Sequence, residues 1–200
     1  EYIRAHTKAE VMVVVKADGY GHGAVPVARE SLKAGASWCA VARADEAVEL
    51  REAGLDCPVL MLGYLPAGRI REMIKGGMSL TFWDRAQAEM INQIARDCHQ
   101  IANLHLKVDT GMSRLGIQVE GVLELVRSLA SLKHIKLEGI FTHFARADET
   151  DPAPTDIQED RFRAVISSLE AEGLRPRLVH AANSAASFTR SSAVFDLVRF

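Results

Sequence analysis

Short apolar runs recur along the whole chain and are separated by stretches with helical periodicity. The runs cover residues 11–16, 37–41, 58–62, 78–82, 102–108, 135–141, 177–181 and 195–200. The first run, VMVVV at 11–15, is unbroken, which is typical of strands that are buried on both faces, as in parallel sheets. The stretches between them place apolar residues on one helical face, for instance Val122, Leu125, Val126 and Leu129. The pattern therefore predicts alternating strands and helices.

Glycines and one capping motif mark the predicted helix ends. Gly35, Gly54, Gly77 and Gly173 each follow a helical stretch and precede a strand. Glycine is favoured there because the residue after the last helical turn often adopts a left-handed conformation. Asp84 and Gln87 form a D-x-x-Q box at a helix start. Eight strands in this alternation favour an α/β fold of the closed (β/α)8 TIM type over an open doubly wound sheet.

Polar residues gather at the carboxyl ends of the predicted strands, where barrels of this type place their chemistry. The strand ends carry Lys16, Arg43, Tyr64, Thr81, Lys107, Asp109, His143, Asn183 and Arg199. Lys16 is the most informative, because the run VMVVVKADGYGHG ends in one amine and a glycine-rich turn. A lysine in a pocket at a strand end is a candidate for Schiff-base formation. By contrast, residues 147–160, acidic and with two prolines, are predicted to form a solvated surface loop without chemistry.

Composition and charge indicate that the binding partner is a small molecule. The net charge of -2 offers no basic field for nucleic acid or an anionic membrane, and no apolar run is long enough to span a bilayer. Since there is also no cationic start followed by an apolar core, as in a signal peptide, we expect a cytoplasmic location. Cys39, Cys57 and Cys98 are odd in number and form no C-x-x-C pair, so we expect buried or partly buried thiols. The chain begins at Glu1 rather than at a methionine. We expect a piece of a longer protein.

Five motifs carry a family resemblance. They are KADGYGHG at 16–23, KVDTGMSRLG at 107–116, THFARADE at 142–149, VHAANSAAS at 179–187 and LVRF at 197–200. In this order they resemble motifs of the alanine racemases, which use pyridoxal 5'-phosphate (PLP) and have a (β/α)8 barrel followed by a separate β domain. The resemblance implies that residues 1–200 are a PLP-binding barrel domain, truncated at both ends, nearly complete, and lacking the final helix and the C-terminal β domain.

The resemblance also implies roles for individual residues. Lys16 would hold PLP as a Schiff base and act as one of two catalytic bases. Cofactor contacts are implied for Tyr20, Leu62, Arg114, His143, Asn183, Ser184 and Arg199. Tyr20, Asn183 and Ser184 would contact the phosphate, His143 would pack on the pyridine ring, and Arg199 would face the pyridine nitrogen. Arg114 and Met112 would contact the substrate, and Lys107 would be the lysine that some members of the family carbamylate.

The implied activity is an isomerisation that interconverts L-alanine and D-alanine by two-base proton transfer and supplies D-alanine for cell-wall peptidoglycan. The second base would come from the C-terminal domain of the partner subunit in a homodimer. We therefore expect residues 1–200 alone to be inactive, or nearly so, as a racemase. The chain departs from the family at Asp18, where asparagine is common, and we expect this change to be tolerated.

Four alternatives remain open from the sequence. The chain could be a PLP-binding protein of cofactor homeostasis, or a racemase for serine or for a broad range of amino acids. A class I aldolase would use Lys16 without a cofactor. A metal hydrolase would draw on His143, His180, Asp109 and Asp148, but no H-x-H or H-E-x-x-H spacing supports it, so we predict no metal.

Overall fold

Eight parallel strands form a nearly closed barrel in the structure, a computed structural model that describes residues 2–200. The strands of the barrel are β1 (Glu10–Val14), β2 (Trp38–Val41), β3 (Val59–Met61), β4 (Ser79–Phe82), β5 (Ala102–Asp109), β7 (Ile135–Phe141), β8 (Leu178–His180) and β9 (Leu197–Arg199). A ninth short strand, β6 (Ile117–Gln118), pairs only with β5. Between β8 and β9 the Asp196 N–H donates to the Val179 carbonyl at 3.1 Å. The predicted barrel is confirmed.

Helices cover the outer face of the barrel. They are α1 (Tyr2–Thr7), α2 (Ala24–Lys33), α3 (Ala44–Glu52), α4 (Ala67–Lys75), α5 (Arg85–Asp97), α6 (Val122–Ser128), α7 (Ala153–Ala171) and α8 (Ser184–Thr189). Their ends follow the sequence signals. Gly54 and Gly173, for example, have φ of 75° and 67° directly after helices α3 and α7. The Asp84 carboxylate accepts from the Gln87 N–H at 2.8 Å, so the predicted Asp84 cap is confirmed. The Gln87 side chain accepts from the Trp83 N–H at 2.9 Å rather than from the Asp84 N–H, so the box is only half formed.

The buried apolar residues form two separate clusters. The larger cluster joins the outward side chains of the strands, such as Val13 and Leu104, to the helices. The smaller cluster, which contains Met12, Trp38 and Leu60 but no helical residue, fills part of the barrel interior. The rest of the interior is polar, with buried His105, Lys107, Glu138, His180 and Arg199. Because such groups are costly to bury, their partners bear directly on function.

The prediction of a surface loop over residues 147–160 is wrong for its second half. Helix α7 begins at Ala153, with Pro154 in its first turn, where a proline costs no helical hydrogen bond. Gln158 and Glu159 are 4% exposed, because they continue the buried face that includes Phe162. The acidic residues of this stretch masked the helical period.

The three cysteines are free thiols, with Cys39 buried and Cys57 and Cys98 partly buried, as expected. Within residues 2–200, no helix has the length and hydropathy needed to cross a membrane.

Candidate active site at the carboxyl rim of the barrel

A left-handed turn follows strand β1 and carries Lys16. The four residues from Ala17 to Tyr20 have φ between 51° and 59° and ψ between 36° and 51°. Three of them bear side chains, and a left-handed conformation costs such residues about 1–2 kcal/mol each. Strain of this kind persists only where the surroundings hold the backbone in place, and it concentrates at functional sites.

Two carboxylates hold this turn. The Asp18 carboxylate accepts from the Ala24 N–H at 2.8 Å and so closes the turn onto helix α2. One Glu46 oxygen accepts from the Ala17 N–H at 2.8 Å. The other accepts from the Ala42 and Arg43 N–H groups, so Glu46 joins the turn to the β2–α3 connection. Aspartate is also one of the residues most often found in left-handed backbone, which explains how position 18 accommodates it.

A cavity of about 310 Å³ lies at the carboxyl ends of the strands beside Lys16. Its wall includes four cationic side chains, from Lys16, Lys107, Arg114 and Arg199. Among residues 2–200, no carboxylate belongs to this wall. The volume falls at the lower end of the range for small-molecule sites. A cavity that collects four cations in this way is suited to a ligand with several negative charges.

Arg114 reaches the cavity from the loop between β5 and β6. The Asp109 carboxylate accepts from the Gly111 and Ser113 N–H groups, both at 3.0 Å, and thereby fixes the loop. Burial raises the pKa of Asp109, but the hydrogen bonds from these N–H groups outweigh it and hold that pKa below its usual value. Gly116 lies on the backbone of Asp109, where a Cβ atom would come within 2.6 Å of the Asp109 nitrogen. The sequence GMSRLG therefore builds a fixed arm for the guanidinium.

Lys107 lies deeper in the cavity, with its Nζ atom 5.1 Å from the centre of the Phe141 ring. Burial, together with the positive charges of Arg114, Arg199 and Lys16, lowers the pKa of Lys107 to about 8. The amine is therefore mostly protonated at neutral pH, but its uncharged fraction is far larger than that of an ordinary lysine.

His143 is held neutral beside these cations. Burial and the charge of Arg199, followed by the charges of Lys107, Arg114 and Lys16, lower the pKa of His143 to about 3. Gln158 fixes the backbone that follows the ring: its amide donates to the His143 carbonyl at 3.1 Å and accepts from the Ala145 N–H at 2.9 Å. His143 can therefore pack against a ligand without adding to the positive charge.

Arg199 projects from the end of β9 into the barrel and is 5% exposed. Its guanidinium donates to the carbonyls of Thr142 and Ala181 at 2.8 and 3.0 Å and to Nδ1 of His180 at 2.9 Å. Burial lowers the pKa of Arg199 to about 10, so the group remains a cation at neutral pH.

The structure brings together most of the residues singled out from the sequence. Besides the four cations and His143, the cavity wall includes Tyr20, Leu62, Asn183 and Ser184. Met112 does not belong to the wall, and Leu115 lies there instead. The Asn183 side chain accepts from the Ala186 N–H at 3.1 Å, which makes it the cap of helix α8. Within residues 2–200, no group of three His, Cys, Asp or Glu side chains is arranged to hold a metal ion, and the four proposed hydrolase ligands form no such group.

Sequence reasoning missed Glu46 and Gln158. Glu46 had a signal, because an acidic residue at the third position of a helix is placed to accept from the N–H groups at the helix start. Gln158 also had one, since it lies four residues before Phe162 on the buried face of α7.

A parallel barrel whose strand ends turn a lysine and three further cations toward one cavity defines a (β/α)8 domain that places small-molecule chemistry at its carboxyl rim. The chain belongs to the family described as alanine racemase, N-terminal domain, whose model matches residues 1–200.

Known relatives agree with this assignment. The alanine racemase of Symbiobacterium thermophilum is 44% identical over 94% of this chain and 50% of its own length. The alanine racemase of Desulforamulus reducens is 47% identical over 95% of this chain and 52% of its own length. The chain thus spans about half the length of the curated relatives it matches.

Solved structures give the same result. The alanine racemase of Clostridium difficile 630 superposes with a TM-score of 0.94 at 37% identity, covering 98% of this chain and 52% of that one. The alanine racemase of Bacillus anthracis with bound L-Ala-P superposes with a TM-score of 0.91 at 35% identity, covering 99% of this chain and 52% of that one.

Proposed function

We propose that this chain is the PLP-binding barrel domain of an amino-acid racemase that interconverts L-alanine and D-alanine. The observation that carries the proposal is the cavity at the strand ends. Its wall combines Lys16, next to a strained turn, with three further cations, and none of the described residues contributes an Asp or Glu side chain to it. Relatives named alanine racemase support alanine as the substrate, and one of the similar structures contains bound L-Ala-P.

The residues of the cavity fit PLP chemically. PLP carries a phosphate and a phenolic oxygen, and an amino-acid substrate adds a carboxylate. Lys16, Arg114 and Arg199 complement these three anionic groups. Lys16 supplies the primary amine that an aldehyde cofactor requires. Tyr20 and Ser184 offer hydroxyl groups in the same wall, and Leu62 and Phe141 offer apolar surface for a ring.

The proposed mechanism assigns one task to each group of the chain. Bound PLP would supply an electron sink that makes the Cα–H bond of the amino acid more acidic. Lys16 removes or returns the Cα proton on its own face of the substrate. Arg114 binds the substrate carboxylate, and His143 stays neutral beside the ring. Arg199 would hold the ring nitrogen of bound PLP beside a permanent cation, which would disfavour protonation of that nitrogen.

Inversion requires a second base on the opposite face of Cα, because one lysine can exchange a proton only on its own side. We assign that base to the part of the protein beyond residues 1–200, supplied by a partner subunit in a homodimer. The proposal includes a cytoplasmic role in supplying D-alanine for peptidoglycan, which the free thiols support.

A chiral assay of the full-length protein tests the proposal. With PLP, we expect D-alanine to form from L-alanine faster than D-serine forms from L-serine, and borohydride to fix PLP to the protein. Fixed PLP without turnover would favour a protein of cofactor homeostasis, and faster serine turnover would favour a serine or broad-specificity racemase. Turnover of an aldol substrate without PLP would replace the proposal with an aldolase.

We further propose that Lys107 carries a carbamate. Carbon dioxide reacts only with the uncharged amine: Nζ bonds to its carbon and a proton is released. Because the pKa of Lys107 is lowered to about 8, the reactive form increases as the pH rises through that value. The product is an anion among three remaining cations, so it relieves their repulsion.

Carbon-13-labelled carbon dioxide tests this assignment by NMR. We expect a carbamate signal that grows between about pH 6.5 and about pH 8.5, because burial and the neighbouring cations lower the pKa of this amine into that range. It should be absent in Lys107→Arg and present in Lys75→Arg, which changes an exposed lysine of α4. No signal in the wild type, or one that survives in Lys107→Arg, would contradict it.

A further inference from the structure

A continuous chain of buried hydrogen bonds runs from the cavity into the barrel interior. Arg199 Nη1 lies 2.9 Å from His180 Nδ1, and His180 Nε2 lies 3.0 Å from His105 Nδ1. His105 Nε2 lies 3.3 Å from a carboxylate oxygen of Glu138. Both histidines are 0% exposed and Glu138 is 8% exposed. The chain therefore links a cation in the cavity wall to a carboxylate near the other end of the barrel.

The chemistry of the two ends fixes the direction of every bond in this chain. A guanidinium can only donate, so His180 must accept at Nδ1 and carry its proton on Nε2. His105 must then accept at Nδ1 and carry its proton on Nε2, which it donates to the Glu138 carboxylate. Both rings are neutral in this arrangement. Burial lowers the pKa of both histidines, which agrees with that state.

The carboxylate end is well anchored. The Ser79 hydroxyl donates to the same Glu138 oxygen at 2.6 Å, and the other oxygen lies 3.9 Å from the Arg177 guanidinium. Burial raises the pKa of Glu138, but the hydrogen bonds from His105 and Ser79 and the charge of Arg177 outweigh it, so the group stays ionised. A charged acceptor at this end holds the His105 proton on Nε2.

The surrounding packing leaves the rings one position. Gly139 lies directly against His105, where a Cβ atom would come within 2.4 Å of Nδ1. The His180 ring stacks on Phe141 at 4.8 Å with an interplanar angle of 3°. The edge of His105 meets Trp38 at 5.6 Å. A histidine in this chain can therefore change its tautomer far more easily than its orientation.

We propose that Glu138 is a positioning residue for Arg199, acting through the tautomers of His105 and His180. If the Glu138 acceptor is lost, His105 has no acceptor at Nε2 and takes the opposite tautomer, with its proton on Nδ1. His180 must then accept at Nε2 and carry its proton on Nδ1, facing the N–H of Arg199. Two donors in contact repel, so the guanidinium moves away from the orientation it has in the cavity. The consequence for catalysis rests on the proposed PLP site, whereas the tautomers do not.

Nitrogen-15 NMR of the histidine side chains in the full-length PLP-loaded protein tests the chain directly. We expect both His105 and His180 to carry the proton on Nε2. In Glu138→Met, which has no strong acceptor, we expect at least one ring to change its tautomer and racemisation to slow by about ten-fold or more, as misplaced catalytic groups do. In Glu138→Gln, whose amide oxygen still accepts, we expect both tautomers to remain and turnover to recover.

Glu10→Gln is the matched control. Glu10 also accepts hydrogen bonds, from the Ser37 hydroxyl and the Trp38 N–H, and lies near Arg177, but it forms no hydrogen bond with either histidine. In the Glu10→Gln protein, the tautomers of His105 and His180 and the rate of racemisation should match those of the wild type.

Three outcomes overturn the inference. The first is a proton on Nδ1 of either ring in the wild type, and the second is a Glu138→Met protein with the tautomers and turnover of the wild type. The third is a Glu10→Gln protein that loses both the wild-type tautomers and the wild-type turnover. If Glu138→Met fails to fold, the inference is tested by the tautomers of the wild type and by the racemisation rate of Glu138→Gln. If both histidines have the expected tautomers but borohydride fixes no PLP, only the proposed function is refuted. If the protein racemises alanine but the histidines have other tautomers, only this inference is refuted.

Discussion

Lys16→Ala abolishes racemisation of alanine in the full-length protein, with a loss of at least about 10⁴-fold, the upper end of what general acid–base groups contribute. Borohydride should no longer fix PLP to the protein, because no other amine takes the place of Lys16 on its strained turn. The Lys107 amine lies in the same cavity but deeper, over Phe141. Turnover by a chiral assay and labelling by mass spectrometry provide the two measurements.

Lys33→Ala is the control for this substitution. It removes an amine from the exposed end of helix α2, where Lys33 pairs with Glu30 on the surface. Turnover and borohydride labelling should stay at the wild-type level. Labelling of Lys16→Ala at the wild-type level would show that a different amine holds the cofactor, and the assignment of Lys16 would be wrong.

Arg199→Glu slows racemisation by roughly 100-fold, the scale seen when one preorganised electrostatic group is removed, and raises the fraction of turnovers that end in pyridoxamine phosphate. A permanent cation at the ring nitrogen keeps that nitrogen unprotonated, whereas a carboxylate favours its protonation and makes the ring a stronger electron sink. A stronger sink increases proton return to the cofactor rather than to Cα. Chromatography of the released cofactor measures the share of each product.

Arg199→Lys separates charge from shape. A lysine keeps the positive charge but cannot make all the hydrogen bonds that Arg199 makes to His180, Thr142 and Ala181. We expect slower racemisation with the pyridoxamine share of the wild type. An unchanged pyridoxamine share in a folded Arg199→Glu protein would contradict the proposed role of the cation.

The barrel could be predicted from the sequence because both of its signals are local. An apolar run that ends in a polar residue marks a strand and its carboxyl end, and glycines such as Gly54 mark the helix ends. Since the ends of all strands meet at one rim, the order along the chain was enough to bring Lys16, Lys107 and Arg199 to one cavity. The roles proposed for these residues came from the family resemblance.

The polar interior could not be predicted in this way. His105 and Glu138 are inward residues on β5 and β7, and nothing in their own neighbourhoods indicates that they meet. Their contact depends on the register between two strands and on the absence of a side chain at Gly139. Gln158 was missed because charged neighbours concealed the helical period of its segment. A local sequence pattern therefore does not determine the register between distant strands, nor which face of a helix is buried.

The strained turn after β1 has a consequence for the kinetics of ligand capture. Because hydrogen bonds to the Asp18 and Glu46 carboxylates of the chain itself hold its backbone, the Lys16 turn is preorganised. The entropy of ordering this turn is lost when the protein folds, so an incoming aldehyde does not have to supply it. Association at Lys16 is then limited by entry and bond formation rather than by rearrangement of the turn.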